Sequence, residues 1–247
     1  MRFLILCTFF LCALTPVSQA VNFQGQSTAS IPAWLAEFSN LESKKRIEYI
    51  ENFNKAKIAY AESNWHICLA YLSECEFIYN KNPHVRNLRA SCLIALKNYD
   101  EAEEEINKAK EHLPNDETTI MNCANLHLAK KEYAQCIVLI KGILDKLPYE
   151  EGATLPDVLT FRIYLCHLML GQEKEAQELV RELTPMSDTP LYYYSQAALH
   201  ISKGNAALAR QDIMAAEAIF YAGNATLPYQ QSIQATGLEE KFLPAKN

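Results

Sequence analysis

Glycine is scarce in this chain, 7 among 247 residues, and the chemistry that glycine-rich loops support is missing with it. No G-x-G-x-x-G, Walker or G-x-S-x-G run occurs, so the sequence offers neither a backbone cradle for phosphates nor a strained nucleophile turn. H-E-x-x-H and C-x-x-C are missing too, which removes the short spacings that seat a metal or a redox pair on one helix. Basic residues are outnumbered: 23 Lys and Arg against 29 Asp and Glu leave a net charge of −6, so no broad basic face for nucleic acid is expected. The one basic cluster, Lys44-Lys45-Arg46, reads as a solvated helix start. The apolar run from Phe3 to Leu14 covers 12 residues, too few to span a bilayer comfortably as a permanent helix.

That run has another use. Arg2 precedes it, Pro16 breaks it, and the small residues Ser18 and Ala20 follow at the third-last and last places before a signal-peptidase cut. Residues 1–20 are therefore expected to be a signal peptide. The mature protein is expected to be exported and free of stable membrane insertion, in the periplasm or outside a bacterial cell. Cleavage removes Cys7 and Cys12 and leaves Cys68, Cys75, Cys92, Cys123, Cys136 and Cys166. All six fall in predicted helices, three of them where sister segments carry Ala or another core residue, so they read as small buried apolar residues. Cys75 with Cys92 is the pair to test for a disulfide.

What the chain has in abundance is recurrence. Trp65, Tyr99 and Tyr133 each follow a tight polar turn, and three places later come Cys68, Ala102 and Cys136, continued by Ala176 and Ala209. The gaps in this last series are 34, 34, 40 and 33 residues. Four and seven places further on stand Leu72/Cys75, Ile106/Ala109, Ile140/Ile143, Val180/Leu183 and Ile213/Ala216. Apolar residues at such spacings share one helix face. Small residues where two backbones approach, with Pro83, Pro114 and Pro148 closing the runs, describe antiparallel helix pairs packed side by side.

This pattern resembles the tetratricopeptide repeat, most closely over Pro83 to Asp116 and the following segment to about Glu150. The resemblance implies an all-α, right-handed α–α superhelix of about five helical hairpins over residues 43–222. A short capping helix within 21–42 is expected before it, and a capping helix and tail over 223–247 after it. The long insertion, Tyr149 to Pro156, is expected to be a loop, and the final helix is expected over Tyr229 to Thr236.

In that family the first helices of the pairs line a concave groove that receives a peptide or helix. The resemblance places Phe53 and Tyr60 there in the first pair, together with Ile50 and Lys57. Asn87 and Ile94 follow in the second pair, and Met121, Asn125 and Leu128 in the third. Phe161, Leu165 and Leu168 belong to the fourth and Tyr194 to the fifth. Asn87 and Asn125 are able to bond a peptide backbone. His127, His167 and His200 repeat with the period and are expected to be core histidines, since equivalent places in successive pairs lie too far apart for one metal ion. Glu101, Glu103, Glu104 and Glu105 are expected to form a solvated face.

The expected function is a non-enzymatic protein–protein interaction module, an exported scaffold or assembly factor. Its partner is a protein or peptide, with no nucleic acid, cofactor, metal or catalytic residue implied. The alternative is a self-associating envelope protein whose groove is filled by its own chain.

Overall fold

The computed structural model describes residues 31–147, 154–222 and 225–242. The expected signal peptide, most of the insertion, residues 223–224 and the last residues of the expected tail lie outside the described residues. Within them the chain forms thirteen helices and no strand. Contacts divide it into two compact units, one reaching to Thr119 and one beginning at Ile120.

The first unit contains α1 (Ala33–Ser39), α2 (Ser43–Ala61), α3 (Trp65–Ile78), α4 (Pro83–Ala95) and α5 (Tyr99–His112). The second takes up most of α6 (Glu117–Ala129), then α7 (Tyr133–Leu144), α8 (Thr154–Met169) and α9 (Glu173–Leu179). It continues with α10 (Leu191–Ser202), α11 (Ala206–Ile219), α12 (Leu227–Thr236) and α13 (Leu238–Phe242).

The periodicity of the sequence reappears as one turn made five times. Ser63, Lys97, Lys131, Gly171 and Gly204 take φ of 59°, 64°, 62°, 76° and 74°. Each lies two places before a second helix begins. The next residue always returns its N–H five places back: Asn64 to Ala59 O (2.8 Å), Asn98 to Leu93 O (2.9 Å) and Glu132 to His127 O (2.8 Å). Gln172 to His167 O (2.9 Å) and Asn205 to His200 O (2.8 Å) complete the series. The left-handed residue itself bonds the carbonyl three places back, as at Lys97 to Ile94 O, 3.0 Å. This Schellman geometry ends the first helix and reverses the chain in two residues.

Three of the five turns carry a side chain where glycine costs least. A non-glycine residue there is strained by about 1–2 kcal/mol, and glycine returns part of that relief through its freer unfolded chain. Lys97→Gly and Lys131→Gly are each expected to stabilise the protein by roughly 0.5 kcal/mol. The check is the urea midpoint: a fall in either variant contradicts the strain.

The second helices bury their small residues as the pattern requires. Cys68, Leu72 and Cys75, then Ala102, Ile106 and Ala109, then Cys136, Ile140 and Ile143 are all buried. In the last two pairs Ala176, Val180, Ala209 and Ala216 are buried, while Leu183 and Ile213 are half-buried. The α9 helix stops early at Leu179 because the next bonds tighten to i→i+3, Val180 to Gln177 O and Leu183 to Val180 O. Thr154–Pro156, expected in a loop, already belong to α8, since proline is tolerated in a first helical turn.

At the start of the chain, α1 lies over aromatic residues of the first unit. Phe38 meets Tyr49 at 4.9 Å and Tyr79 at 5.6 Å between ring centroids, and Tyr79 Oη donates to Trp34 O at 2.6 Å. At the other end, Gly237 with φ 67° lets the chain turn from α12 into α13, so Lys241 and Phe242 are helical rather than part of a tail.

Candidate functional site

The candidate surface is the one presented by the first helices, and the two units treat it differently. In the second unit α8 is buried along nearly its whole length. Phe161, Leu165 and Leu168 point into an apolar cluster shared with α10, α12 and α13. Phe161 lies 5.3 Å from Tyr229 and 6.0 Å from Tyr194, and Tyr194 stacks on Tyr229 at 5.1 Å. Tyr229 and Ile233 of α12 and Leu238 of α13 are themselves buried. Burial also pushes the Tyr229 phenol above its ordinary range.

Polar bonds fasten the same helices. Tyr133 Oη donates to Thr236 O (3.1 Å), Lys241 Nζ to Met169 O (2.7 Å) and Arg162 Nε to Ser232 Oγ (3.3 Å). Arg162 Nη1 also reaches Asn125 Oδ1 at 3.1 Å and Met121 Sδ at 3.8 Å. The expectation that Phe161, Leu165, Leu168 and Tyr194 line an open trough is therefore corrected: the chain's own α12 and α13 occupy that face. Asn125, expected to bond a peptide, is buried against Arg162, Leu128 is buried, and Met121 is half-buried. The final helix, expected to cap the end of the array, packs on α8 and α10 because Tyr229 and Ile233 find their apolar surroundings there.

In the first unit the expected residues separate. Asn87 is buried and donates through Nδ2 to Thr119 Oγ1 at 2.8 Å, while Asp116 Oδ2 accepts from Thr119 N at 2.9 Å. Its amide thus organises the start of α6 rather than facing a ligand. Tyr60, packed 5.2 Å from Trp65, and Ile94 are buried as well. The α2 face is different. Ile47 and Ile50 are 59% and 50% exposed, and Phe53 is half-buried with Lys57 Nζ 5.2 Å above its ring. Together with Leu35, Phe38 and Ser39 of α1 and Ser43 and Arg46 of α2, Ile47 and Ile50 line an open crevice of ≈ 410 Å³. The resemblance to the repeat placed Ile50 and Phe53 on a ligand-facing helix; it gave the segment of α1 only the role of a cap.

The three periodic histidines are half-buried rather than core residues. His127 Nδ1 meets Glu132 Oε2 at 2.5 Å, His167 Nδ1 meets Gln172 Oε1 at 2.8 Å, and His200 Nδ1 meets Asp212 Oδ2 at 2.7 Å. The first two partners come from the hairpin turn itself, so these histidines brace the chain reversal. The acidic face of α5 also needs correction at one residue. Glu101, Glu103 and Glu104 are exposed, but Glu105 is buried between Arg86 (2.8 Å) and Lys108 (2.7 Å). Burial works to raise the Glu105 carboxyl, and the bonds from Lys108 and Arg86 outweigh it, holding the group below the ordinary glutamate range.

The cysteine pairing also differs from the expected one. Cys75 donates to Tyr49 O at 3.6 Å, and burial pushes its thiol up to about 12. Its place beside Cys92 is taken by Cys68, with the two sulfurs 3.2 Å apart.

Among the described residues no group of three or more His, Cys, Asp or Glu is placed to hold a metal ion. No described helix is long and apolar enough to cross a membrane. No protein-family model matches the chain, and neither does any curated protein.

Proposed function

We propose that this chain is an exported tetratricopeptide-like scaffold, without catalytic activity, that binds an apolar segment of a partner protein. The observation that carries the reading is the exposed apolar strip of α1 and α2: Leu35, Ile47 and Ile50 around one crevice, bordered by Phe53. A contiguous exposed apolar patch marks an interaction surface more often than solvent-exposed decoration. The docking site is thus moved from the face filled by α12 and α13 to the start of the array. An amphipathic helix or short peptide with large aliphatic side chains has the chemistry to fill it. The five matching turns and the register of Cys68, Ala102, Cys136, Ala176 and Ala209 support the repeat family and its superhelical architecture.

Photo-crosslinking from position 50 of the full chain in its native envelope tests this. A discrete adduct with another protein, lost when Ile47→Asp is added, is the expected result; absence of any adduct overturns it. The self-associating alternative draws support from the occupied α8–α10 face, which leaves less surface for a foreign ligand. Crosslinks solely between copies of this chain, with light scattering above the monomer mass, favour that alternative.

A further inference from the structure

The sequence repeat places cysteine twice at the same junction, where the second helix of one pair meets the first helix of the next. In the first unit the junction is α3 against α4, and it carries Cys68 and Cys92. In the second it is α7 against α8, and it carries Cys136 and Cys166, whose thiols are likewise hydrogen-bonded. The two pairs are 24 and 30 residues apart, and the difference of six is the insertion between α7 and α8. In the other repeats the sequence holds Ala102 with Leu126 and Ala176 with Leu199 at the corresponding places. Thus the cysteines come as pairs or not at all at these two places.

The geometry points to two structural disulfide sites, Cys68–Cys92 and Cys136–Cys166, each stapling one helical pair to the next.

The sulfurs of Cys68 and Cys92 are 3.2 Å apart, about 1 Å longer than a formed bond. All four side chains are essentially without solvent exposure, so no reagent reaches them in the folded chain and the bridges must form as the helices assemble. Within the folded pairs the shared proton holds the Cys92 and Cys166 thiols well above their ordinary range, and burial adds to it. Burial thus keeps a pair left reduced out of reach of oxidants in solution. The oxidant is a disulfide, of a small molecule or a carrier protein. One cysteine thiolate attacks it and forms a mixed disulfide, expelling one thiol. The second cysteine thiolate then attacks the mixed disulfide and expels the other. Two protein thiols become one disulfide, the oxidant's disulfide becomes two thiols, and the protons lost by the cysteines are regained by the leaving groups. Cys75 and Cys123 have no part in this: Cys75 is bonded to Tyr49 O, and Cys123 lies at a different register.

The test is refolding of the reduced, denatured full chain in a mixture of reduced and oxidised glutathione. Alkylation, digestion without reductant and mass spectrometry then follow. Crosslinked peptides joining Cys68 to Cys92 and Cys136 to Cys166, with Cys75 and Cys123 alkylated, are expected. The bridged chain should melt higher than the same chain in reductant, by roughly 5–10 °C. Recovery of either pair as alkylated thiols from folded protein overturns the assignment for that pair, and a Cys75–Cys92 peptide overturns it for the first. Cys68→Ala guards against misfolding as an explanation, because Ala102 and Ala209 already fill the equivalent place. That variant should keep its helical circular dichroism, retain the Cys136–Cys166 bridge and lose the other. Scrambled bridges in a folded Cys68→Ala chain would count against the proposal.

Discussion

Phe161→Ala is expected to lower the stability of the second unit by about 3–5 kcal/mol, the usual cost of truncating a fully buried phenylalanine. The ring has no solvent exposure and touches side chains from three directions: Tyr164 along its own helix, Tyr194 from α10 and Tyr229 from α12. A cavity opened at this point has no neighbour free to collapse into it, because each of those rings is itself buried and held by others. Denaturant titration followed by circular dichroism measures the loss, and hydrogen exchange locates it in α8, α10 and α12. A cost below about 1 kcal/mol would mean that Phe161 lines an open surface. Phe161→Asp should be worse, since it buries a carboxylate beside three aromatic rings and has no paired cation there.

Ending the chain at residue 222 is expected to have an effect of similar size through the opposite side of the same contact. The truncated protein loses Tyr229, Ile233 and Leu238, whose burial contributes on the order of 5 kcal/mol together. It also loses the bonds to Tyr133, Arg162 and Met169. The shortened chain should bind more of a hydrophobic dye than the full chain does. A synthetic peptide of residues 225–242 added in trans should suppress that binding and restore part of the lost stability. Dye binding equal to that of the full chain would show that α12 and α13 cover nothing of consequence.

These two experiments concern the part of the molecule that pattern alone misjudged. Phe161, Leu165, Leu168 and Tyr194 occupy helix positions that face a groove in the family the sequence resembles, and a row of large apolar side chains there reads equally well as a ligand site or as a core. Nothing local separates the two. The decision belongs to Tyr229, Ile233 and Leu238, more than thirty residues downstream of α10's start by the numbering, which return to cover the row. Asn125 and Asn87 misled for a related reason. An amide at such a position suits a peptide backbone, but it bonds whatever the fold brings near, here Arg162 and Thr119.

The repeat, by contrast, was written in the sequence by itself. Residue size at each helix–helix contact and a left-handed residue at each turn are local demands, and the chain meets them five times, at intervals of 34, 34, 40 and 33 residues, down to Ser63, Lys97, Lys131, Gly171 and Gly204. Short-range backbone geometry fixes them, so they are legible without a partner element. Tertiary structure alone decided which apolar face stays open and which cysteines meet. Both depend on segments distant in sequence arriving at one place, and periodicity carries no record of which distant segment wins the competition to bury its surface.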